Sequence, residues 1–312
     1  MQRVPAVLPY LLVVVAAGCA SPVRVSENFA LEAPWGDYER IVVHTLNGDV
    51  DLASGGSPGI QVSGVKTAGG LTFNEAHDNL NLLKVVAEAD ADDPKTFVVE
   101  LDYPERLRYR NIGADFTIRL PQSVAADVNT SNGRIQARGL RDLVQLNSSN
   151  GDIVVEEVAG RVEAGTSNGG VRASNVSGPL KAATSNGRVF VQLIGGECVL
   201  ASSNGTIEAR EVNGGLRATT SNGNIIAAVN PPEDGEVVLR TSNGQIQADL
   251  PAGLRGELSL RTSNGRVRTD FGTATLSRPE WSDDHFAGLL NGGGPARIVA
   301  RTSNGPIMLT CR

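Results

Sequence analysis

Residues 184–205 read TSNGRVFVQLIGGECVLASSNG, and this stretch contains one complete repeat of the chain. The triplet Ser-Asn-Gly occurs nine times, with asparagines at Asn132, Asn150, Asn168, Asn186, Asn204, Asn222, Asn243, Asn264 and Asn304. The first five steps between these asparagines are 18 residues long, and the next three are 21, 21 and 40 residues long. Self-similarity at a fixed period of this length is typical of a solenoid.

Apolar and polar residues alternate within each repeat, which predicts half-buried strands. The third residue after every repeat asparagine is isoleucine or valine, and the fifth is alanine or valine in the first seven repeats. A second alternating stretch begins twelve residues after the asparagine, just beyond a glycine in four of the five regular repeats. Each repeat is therefore predicted to form one rung, made of two strands and two turns.

Asn-Gly turns are compatible with two arrangements of these strands. They are a strong β-hairpin signal, which would make neighbouring strands antiparallel. In a solenoid each strand instead pairs in parallel with its copy in the next rung, so that asparagine side chains can bond in a column. The recurrence of residue type at every inward position favours the solenoid. We therefore predict an all-β, right-handed parallel β-solenoid (β-helix) with 18-residue rungs, because parallel crossovers are right-handed in most proteins.

The chain is predicted to consist of four successive parts. In order they are a signal peptide (1–18), a tether (19–37), degenerate first rungs with a helix-containing N-terminal cap (38–129), and the regular Ser-Asn-Gly solenoid (130–312). The cap helix is predicted at 73–89, because Leu80, Leu83 and Val86 fall on one stripe. Such a cap would cover strand edges that otherwise invite aggregation.

The longest interval between repeats contains an insertion at 272–294, near a corner, where extra residues are tolerated better than in strands. Ser277 and Glu280 match a capping-box pattern, which predicts a short helix that ends near Leu290. This helix would fold its apolar residues onto the open end of the solenoid.

The first twenty residues resemble the signal of bacterial lipoproteins. Arg3 precedes an apolar stretch of about twelve residues, which is too short to span a bilayer, and small residues precede Cys19. The resemblance implies cleavage before Cys19 and attachment of lipid to it, so the lipid bilayer is one predicted partner. Ala20 favours, by the same resemblance, the outer membrane, with the protein facing the periplasm or the cell surface. An ordinary secretory signal is the alternative.

Two further cysteines, Cys198 and Cys311, fall in different repeats. Strands stack about 4.8 Å apart, so five rungs would separate these residues by more than a disulfide permits. Both are predicted to be free thiols in the core.

The charge of the chain argues against nucleic acid as a partner. The chain has 28 basic and 34 acidic residues and a formal net charge of −6, whereas a nucleic-acid surface needs a basic stripe. No run of lysine or arginine occurs in the sequence. Binding to other polyanions is therefore not expected either.

The Thr-Ser-Asn-Gly repeats, the degenerate leading strand pair and the helix-containing N-terminal insertion resemble a bacterial family of β-strand-repeat proteins labelled "putative adhesin". The resemblance covers residues 38–311. It implies an adhesin-like role with no defined ligand, and it supplies no catalytic residues to carry over.

Few residues point to chemistry. The outward positions two and four residues after the asparagines mix charged and apolar residues without an acidic cluster, which predicts a solvated sheet face. Asp283, Asp284 and His285 form the one tight acid–histidine group, which could bind a metal or act in acid–base chemistry, although a helix surface explains it equally well. The nine asparagines are interpreted as a structural ladder. No cofactor and no metal site are predicted.

These observations favour a non-catalytic, envelope-anchored lipoprotein that acts as an adhesin-like binding protein or a structural surface protein, with an envelope glycan or protein as its partner. The alternative is a carbohydrate-active enzyme, a polysaccharide lyase or hydrolase, on the same scaffold. A convergent acidic cleft would favour the enzyme.

Overall fold

The structure is a computed structural model that describes residues 11–12, 23–55, 58–108, 111–121 and 124–312. It divides into two compact units, Met1–Gly151 and Asp152–Arg312. The division falls within the part predicted as regular solenoid, rather than at residue 130. No helix in the described ranges is long and apolar enough to cross a membrane.

The first unit consists mainly of strands, with one α-helix and one 3₁₀ turn. Its elements are β1 (Leu11–Leu12), β2 (Val23–Pro34), β3 (Arg40–Thr45), β4 (Val50–Ser54), β5 (Gly59–Gly70), α1 (Phe73–Asn81), β6 (Lys84–Ala89), β7 (Thr96–Asp102), the 3₁₀ turn (Glu105–Leu107), β8 (Gly113–Leu120), β9 (Ala125–Thr130), β10 (Ile135–Arg138) and β11 (Val144–Ser148).

Strand order in the first unit departs from chain order. One sheet runs β1-β2-β5-β8-β4-β10, and the other runs β11-β9-β3-β7-β6. The rung formed by β3 and β4 pairs in parallel with β7 and β8 on one side and with β9 and β10 on the other. The earliest rung of the chain therefore lies between two later ones.

The cap helix is shorter than predicted, because α1 ends at Asn81 rather than at residue 89. Residues 84–89 form β6, which pairs antiparallel with β7. Backbone hydrogen bonding to the edge of β7 thus outweighs the helical spacing of the apolar residues. Val85 and Val86 are β-branched residues, which suit a strand. At the other end of the helix, the Thr72 side chain accepts a hydrogen bond from the Glu75 amide at 3.1 Å and caps it.

The predicted tether also differs from the structure. Residues 23–34, which fall within 19–37, form β2, and β2 pairs antiparallel with β5 along its whole length, from Val23 opposite Gly70 to Pro34 opposite Gly59. Val25 on β2 is 1% exposed. A continuous antiparallel partner and one buried face make this segment part of the folded unit.

The second unit contains only strands and turns among its elements. These are β12 (Ile153–Val158), β13 (Val162–Thr166), β14 (Val171–Val176), β15 (Leu180–Thr184), β16 (Val189–Ile194), β17 (Cys198–Ser202), β18 (Ile207–Val212), β19 (Leu216–Thr220), β20 (Ile225–Val229), β21 (Glu236–Thr241), β22 (Ile246–Leu250), β23 (Gly256–Asn264), β24 (Val267–Asp270), β25 (Leu276–Trp281), β26 (His285–Leu290), β27 (Ala296–Asn304) and β28 (Ile307–Cys311).

The regular repeats of this unit stack as parallel rungs. Val171 pairs with Val189, and Val189 pairs with Ile207, so each residue lies beside its copy from the adjacent repeat. Even-numbered strands β12 to β22 build one sheet (the even sheet), and odd-numbered strands β13 to β21 build the other (the odd sheet). The predicted β-solenoid is confirmed and the hairpin alternative is wrong for these repeats. The right-handed crossover stays a prediction.

Inward residues fill the space between the two sheets. In the repeat that starts at Asn186, the inward side chains are at most 1% exposed: Val189, Val191, Ile194, Cys198 and Leu200. The second-last residue in the first strand of four successive rungs has a positive φ, between 52° and 57°: Glu157, Asn175, Leu193 and Glu211. The left-handed conformation turns the chain toward the corner in each of these rungs.

The last rung of the chain does not lie last in the sheets. The even sheet continues β22-β28-β24, and the odd sheet continues β21-β27-β23. Ile307 lies between Ile246 and Val267, and Ala300 lies between Leu239 and Leu260. The rung β27–β28 is therefore inserted between the rungs β21–β22 and β23–β24, both of which precede it in the chain.

The insertion at 272–294 forms an antiparallel hairpin, β25–β26, and not the predicted helix. β26 pairs antiparallel with β23, so that Leu290 lies opposite Gly256 and Phe286 opposite Leu260. The capping-box pattern is a local signal, whereas the edge of β23 supplies a row of backbone donors and acceptors that a strand can satisfy. The hairpin covers the end of the odd sheet.

Candidate binding surfaces

Three residue positions shape each Ser-Asn-Gly corner. The first is the residue two before the asparagine, which carries a hydroxyl group. The Thr184 hydroxyl donates to the Gly169 carbonyl of the adjacent rung at 2.8 Å and accepts from the Gly187 amide of its own rung at 3.1 Å. The same cross-rung bond, at 2.9–3.3 Å, is made by Ser202, Thr220, Thr241, Thr262 and Thr302. The buried hydroxyl thus ties each corner to its neighbour.

The second requirement is the asparagine itself, whose side-chain amides form a column at the surface. In the second unit Nδ2 donates to Oδ1 at 2.7–2.9 Å from Asn186 to Asn168, Asn204 to Asn186, Asn222 to Asn204, Asn243 to Asn222, Asn304 to Asn243 and Asn264 to Asn304. In the first unit Asn150 donates to Asn132, and Asn132 donates to Asn47. These asparagines lie at exposed corners rather than inside the rungs.

The third requirement is glycine after the asparagine. A Cβ atom at Gly187 would lie 1.9 Å from the Gly169 oxygen, and one at Gly205 would lie 1.7 Å from the Gly187 oxygen. Since real Cβ atoms do not approach carbonyl oxygens so closely, only glycine permits the rungs to stack at this corner. The hydroxyl residue and the glycine thus permit close stacking of neighbouring rungs, and the asparagine links those rungs through its column of side-chain hydrogen bonds.

The outward face of the even sheet carries a cluster of charged and aromatic side chains. We define the arginine–phenylalanine cluster as Arg172, Arg188, Phe190, Glu208 and Arg210. Arg172 and Glu208 lie directly beside Phe190 on the neighbouring strands β14 and β18. The three guanidinium carbons lie 5.5, 5.6 and 5.8 Å from the centre of the Phe190 ring, within the range of cation–π contacts.

A buried carboxylate organises this cluster. Glu208 points outward from β18, yet it is only 2% exposed. It forms ion pairs with both Arg188 and Arg210. Arg172 contacts the Phe190 ring but has no carboxylate within ion-pair distance in the described part of the chain. The cluster therefore holds more positive than negative charge, in side chains that are fixed by one another.

Apolar side chains extend the same face. Ile226 lies beside Glu208 on β20 and is 37% exposed, and Leu193 at the end of β16 is 45% exposed. The outward positions of the even sheet were predicted to form a solvated face. The signal that would have revealed the cluster is the identical place of Arg172, Phe190 and Glu208 in three successive repeats.

The acid–histidine group lies at the turn of the hairpin β25–β26. Backbone carbonyls of Asp283 and Asp284 accept hydrogen bonds from Val267 and Thr262, each at 2.9 Å, so this turn is attached to the rung β23–β24. The Ser282 hydroxyl donates to the Asp284 carboxylate and lowers the pKa of that carboxyl below its ordinary value. No group of three or more potential metal ligands occurs in the described ranges.

Neither free cysteine is placed for chemistry. Cys198 and Cys311 are both buried and unpaired with each other, as predicted. Burial raises the pKa of the Cys198 thiol to about 12, so the thiolate that reacts with oxidants and metals is scarce at neutral pH. Cys19, the predicted lipidation site, lies outside the described residues.

Comparison with known proteins finds solved structures with only distant similarity to the chain. No family model matches the chain, and no curated protein sequence matches it. A "putative adhesin" from Bacteroides fragilis is 12% identical, with a TM-score of 0.33, and the match covers 90% of this chain and 96% of that one.

Two further solved structures have similar statistics. A "putative lipid binding protein" from Parabacteroides distasonis is 10% identical, with a TM-score of 0.39 and coverage of 91% and 97%. A "putative cell adhesion protein" from Clostridium sporogenes is 10% identical, with a TM-score of 0.21 and coverage of 94% and 100%. These names describe those proteins.

Proposed function

We propose that the chain is a non-catalytic, adhesin-like binding protein of the bacterial envelope, anchored through lipid on Cys19, and that the arginine–phenylalanine cluster is its contact surface. The observation that carries the proposal is the cluster itself. Arginine and aromatic side chains are enriched at protein interfaces and dominate their binding energy. Here three arginines and one phenylalanine occupy a sheet face that the fold does not need to cover.

The cluster is suited to binding because its side chains are already ordered. Glu208 holds Arg188 and Arg210, and the Phe190 ring lies against all three arginines. Ordering side chains before contact lowers the entropy that a partner must overcome. Exposed Ile226 beside the cluster adds apolar area, so an envelope protein or a glycan with both carboxylates and apolar faces would fit.

The same geometry favours binding over catalysis at this surface. General acid–base hydrolysis of a glycan needs two carboxyl groups that flank the scissile bond. The cluster contains one carboxylate, Glu208, which is almost fully buried and engaged by two arginines. It is therefore a poor acid or base for a substrate that approaches from solvent.

The anchor and the location are proposed from the sequence. The apolar stretch before Cys19 and the small residues next to it support export and lipidation. A lipid on Cys19 would keep the chain at the outer membrane. In cells that express the full chain, Cys19→Ser is expected to move the protein from the membrane fraction to the soluble fraction and to abolish labelling by a radioactive fatty acid. Unchanged fractionation would contradict the anchor.

The contact surface is tested by capture from envelope extracts and by glycan-array binding, using the full-length protein. The double variant Arg172→Ala/Phe190→Ala is expected to lose most of the captured partner, at least about tenfold, because two central side chains are removed. Lys181→Ala, an exposed change on the odd sheet, serves as the control and should retain capture. Equal capture by both variants would reject the cluster as the contact surface, and turnover of a polysaccharide by the wild-type protein would favour the enzyme.

A further inference from the structure

A second charged surface lies on the odd sheet, near its hairpin end. We define the arginine row as Arg240 on β21, Arg301 on β27 and Arg261 on β23. Arg301 lies directly beside Arg240 on one side and Arg261 on the other, and His285 on β26 follows Arg261. All three arginines are exposed, and the residues after them, Thr241, Thr302 and Thr262, are buried, so the row faces solvent. Adjacent strands lie about 4.8 Å apart.

The row has few acidic partners in ion-pair contact, and Glu280 on β25 lines the same surface depression as Arg301. Neither Arg240 nor Arg301 has an ion-pair partner in the described part of the chain. Asp284 is close enough to Arg261 for their charges to interact, and it is the acidic group at that end of the row. Glu236, on the same face of β21, is already engaged by Arg217 at 2.7 Å and by Arg297 at 3.6 Å.

Three like charges side by side on a sheet face are unfavourable in the free protein, since like charges directly opposite each other destabilise a strand pair. The row exists only because β27 is inserted between β21 and β23. A ligand that carries several negative charges would relieve this repulsion. Arginine is the side chain best suited to carboxylates, because its planar fork donates two parallel hydrogen bonds to them.

The surroundings of the row favour a glycan over a nucleic acid. Ser242, Ser303 and Ser263 each lie two positions after an arginine of the row and are exposed, so hydroxyl groups border it on one side. Beyond Arg240, across the neighbouring strands β19 and β17, the equivalent positions hold the small residues Thr219 and Ala201. The row includes no Phe, Tyr or Trp side chain, whereas single-stranded nucleic acids are held mainly by stacking on such rings.

We infer that the arginine row binds a linear acidic glycan, a polyuronate, whose successive carboxylates pair with Arg240, Arg301 and Arg261. The glycan lies across the strands, along the stacking direction, where sugar hydroxyls meet the bordering serines. Such a glycan is a polyanion, a class of ligand that the lack of a lysine or arginine run in the sequence did not predict. No basic run exists in the chain, but stacking places Arg301 beside Arg240, 61 residues away in the sequence, and beside Arg261, 40 residues away. The sequence signal is Arg-Thr-Ser-Asn-Gly, which occurs at residues 240–244, 261–265 and 301–305.

Binding of polygalacturonate to the full-length protein, measured by calorimetry at low and at physiological salt, tests the inference. Wild type is expected to bind, with an affinity that falls as salt rises. Arg240→Gln/Arg301→Gln should lower the affinity about a hundredfold, roughly tenfold for each charge-assisted contact. The matched control, Arg266→Gln/Arg268→Gln, removes the same charge from the even sheet and should change the affinity less than about threefold.

Thermal unfolding provides a readout that does not depend on the ligand. Arg301→Gln removes the middle charge of the row and is expected to raise the midpoint by roughly 1–2 °C at low salt. Polygalacturonate should raise the midpoint of wild type more than that of this variant.

Several outcomes would overturn the inference. They are the absence of polygalacturonate binding, equal losses in the row variant and its control, and equal or tighter binding of single-stranded DNA of the same charge. Dextran, which is neutral, should not bind, and its binding would also overturn the role of charge. Lys181→Ala, an exposed change on the odd sheet outside both surfaces, is expected to bind polygalacturonate normally. The row is tested with purified polygalacturonate and the arginine–phenylalanine cluster by capture from envelope extracts, so failure of one is distinguishable from failure of the other.

Discussion

The regular rungs of the second unit and its hairpin end use the same repeat but stack in different orders. From β12 to β22 each strand lies beside its copy in the next repeat along the chain. At the end, β27 and β28 lie between rungs that both precede them. The repeat therefore specifies the inside and the corners of a rung, but it does not specify which rung lies next to which.

The reason is that every rung offers the same surface to its neighbours. Ile246, Val267 and Ile307 occupy the same inward position, and each is followed two residues later by another inward residue. Because the rungs are interchangeable, the connections between them determine their order. Here the hairpin β25–β26 pairs along one edge of β23, and the chain then places β27 along the opposite edge, beside β21. The prediction of solenoid order from sequence fails at this point for a physical reason.

Removing a rung should have opposite consequences in the two regions. Deletion of residues 187–204 removes one complete regular repeat and joins Asn186 to Gly205, so β14 and β15 can pair directly with β18 and β19. We expect a folded protein with cooperative thermal unfolding.

Deletion of 296–312 removes the inserted rung and leaves β22 and β24 without their shared partner. We expect a loss of roughly 5–10 kcal/mol, because five inward side chains lose their burial: Ile298, Ala300, Ile307, Leu309 and Cys311.

Limited proteolysis followed by mass spectrometry checks this pair. Cleavage between residues 256 and 295 is expected in the second deletion and not in the first. If β23–β24 restacks directly on β21–β22, the second deletion will be as resistant as the first, and the inserted rung is then dispensable.

A smaller effect is expected from a single added methyl group at a regular corner. Gly187→Ala places a Cβ atom 1.9 Å from the Gly169 oxygen, so two rungs must separate locally. We expect a loss of about 2–3 kcal/mol in the free energy of unfolding, measured by urea titration. Gly253→Ala is the control, because no atom lies within 4 Å of its added Cβ. Equal values for the two variants would show that the corner tolerates a side chain.

The asparagine column offers the finest comparison. Asn186 both donates to Asn168 and accepts from Asn204, whereas Asn264 at the hairpin end donates to Asn304. Asn186→Ala is expected to cost about 1 kcal/mol and Asn264→Ala about half as much, since exposed side-chain bonds contribute modestly. The two values, read from the same urea titration, would contradict a cooperative column if Asn264→Ala cost more.

Much of the fold was predictable because it is local and repeated. The strands, the glycine corners and the free thiols follow from the spacing around residues such as Val189 and Cys198. The left-handed residue near the end of the first strand in four rungs was not predictable, since Glu157 and Leu193 have no special preference for positive φ. The hairpin and the shorter helix depended on strand edges that a local pattern does not contain.

The two charged surfaces were missed for a related reason. Arg172 and Phe190, like Arg240 and Arg301, are distant in the chain and become neighbours only when rungs stack. Charge counted along the sequence averages over these distances. For a repeat protein the informative count is made down each column of equivalent positions.

The inserted rung has a consequence for biosynthesis. A ribosome releases residues 256–270 before residues 296–311, so the growing chain passes through a stage in which the final partner of β23 and β24 has not been made. During that interval β23 and β24 can remain unpaired with β21 and β22, which leaves room for β27 and β28. Alternatively, β23–β24 can pair with β21–β22 and must later separate from them to admit β27–β28. A chaperone that delays closure would raise the fraction of molecules that reach the native order.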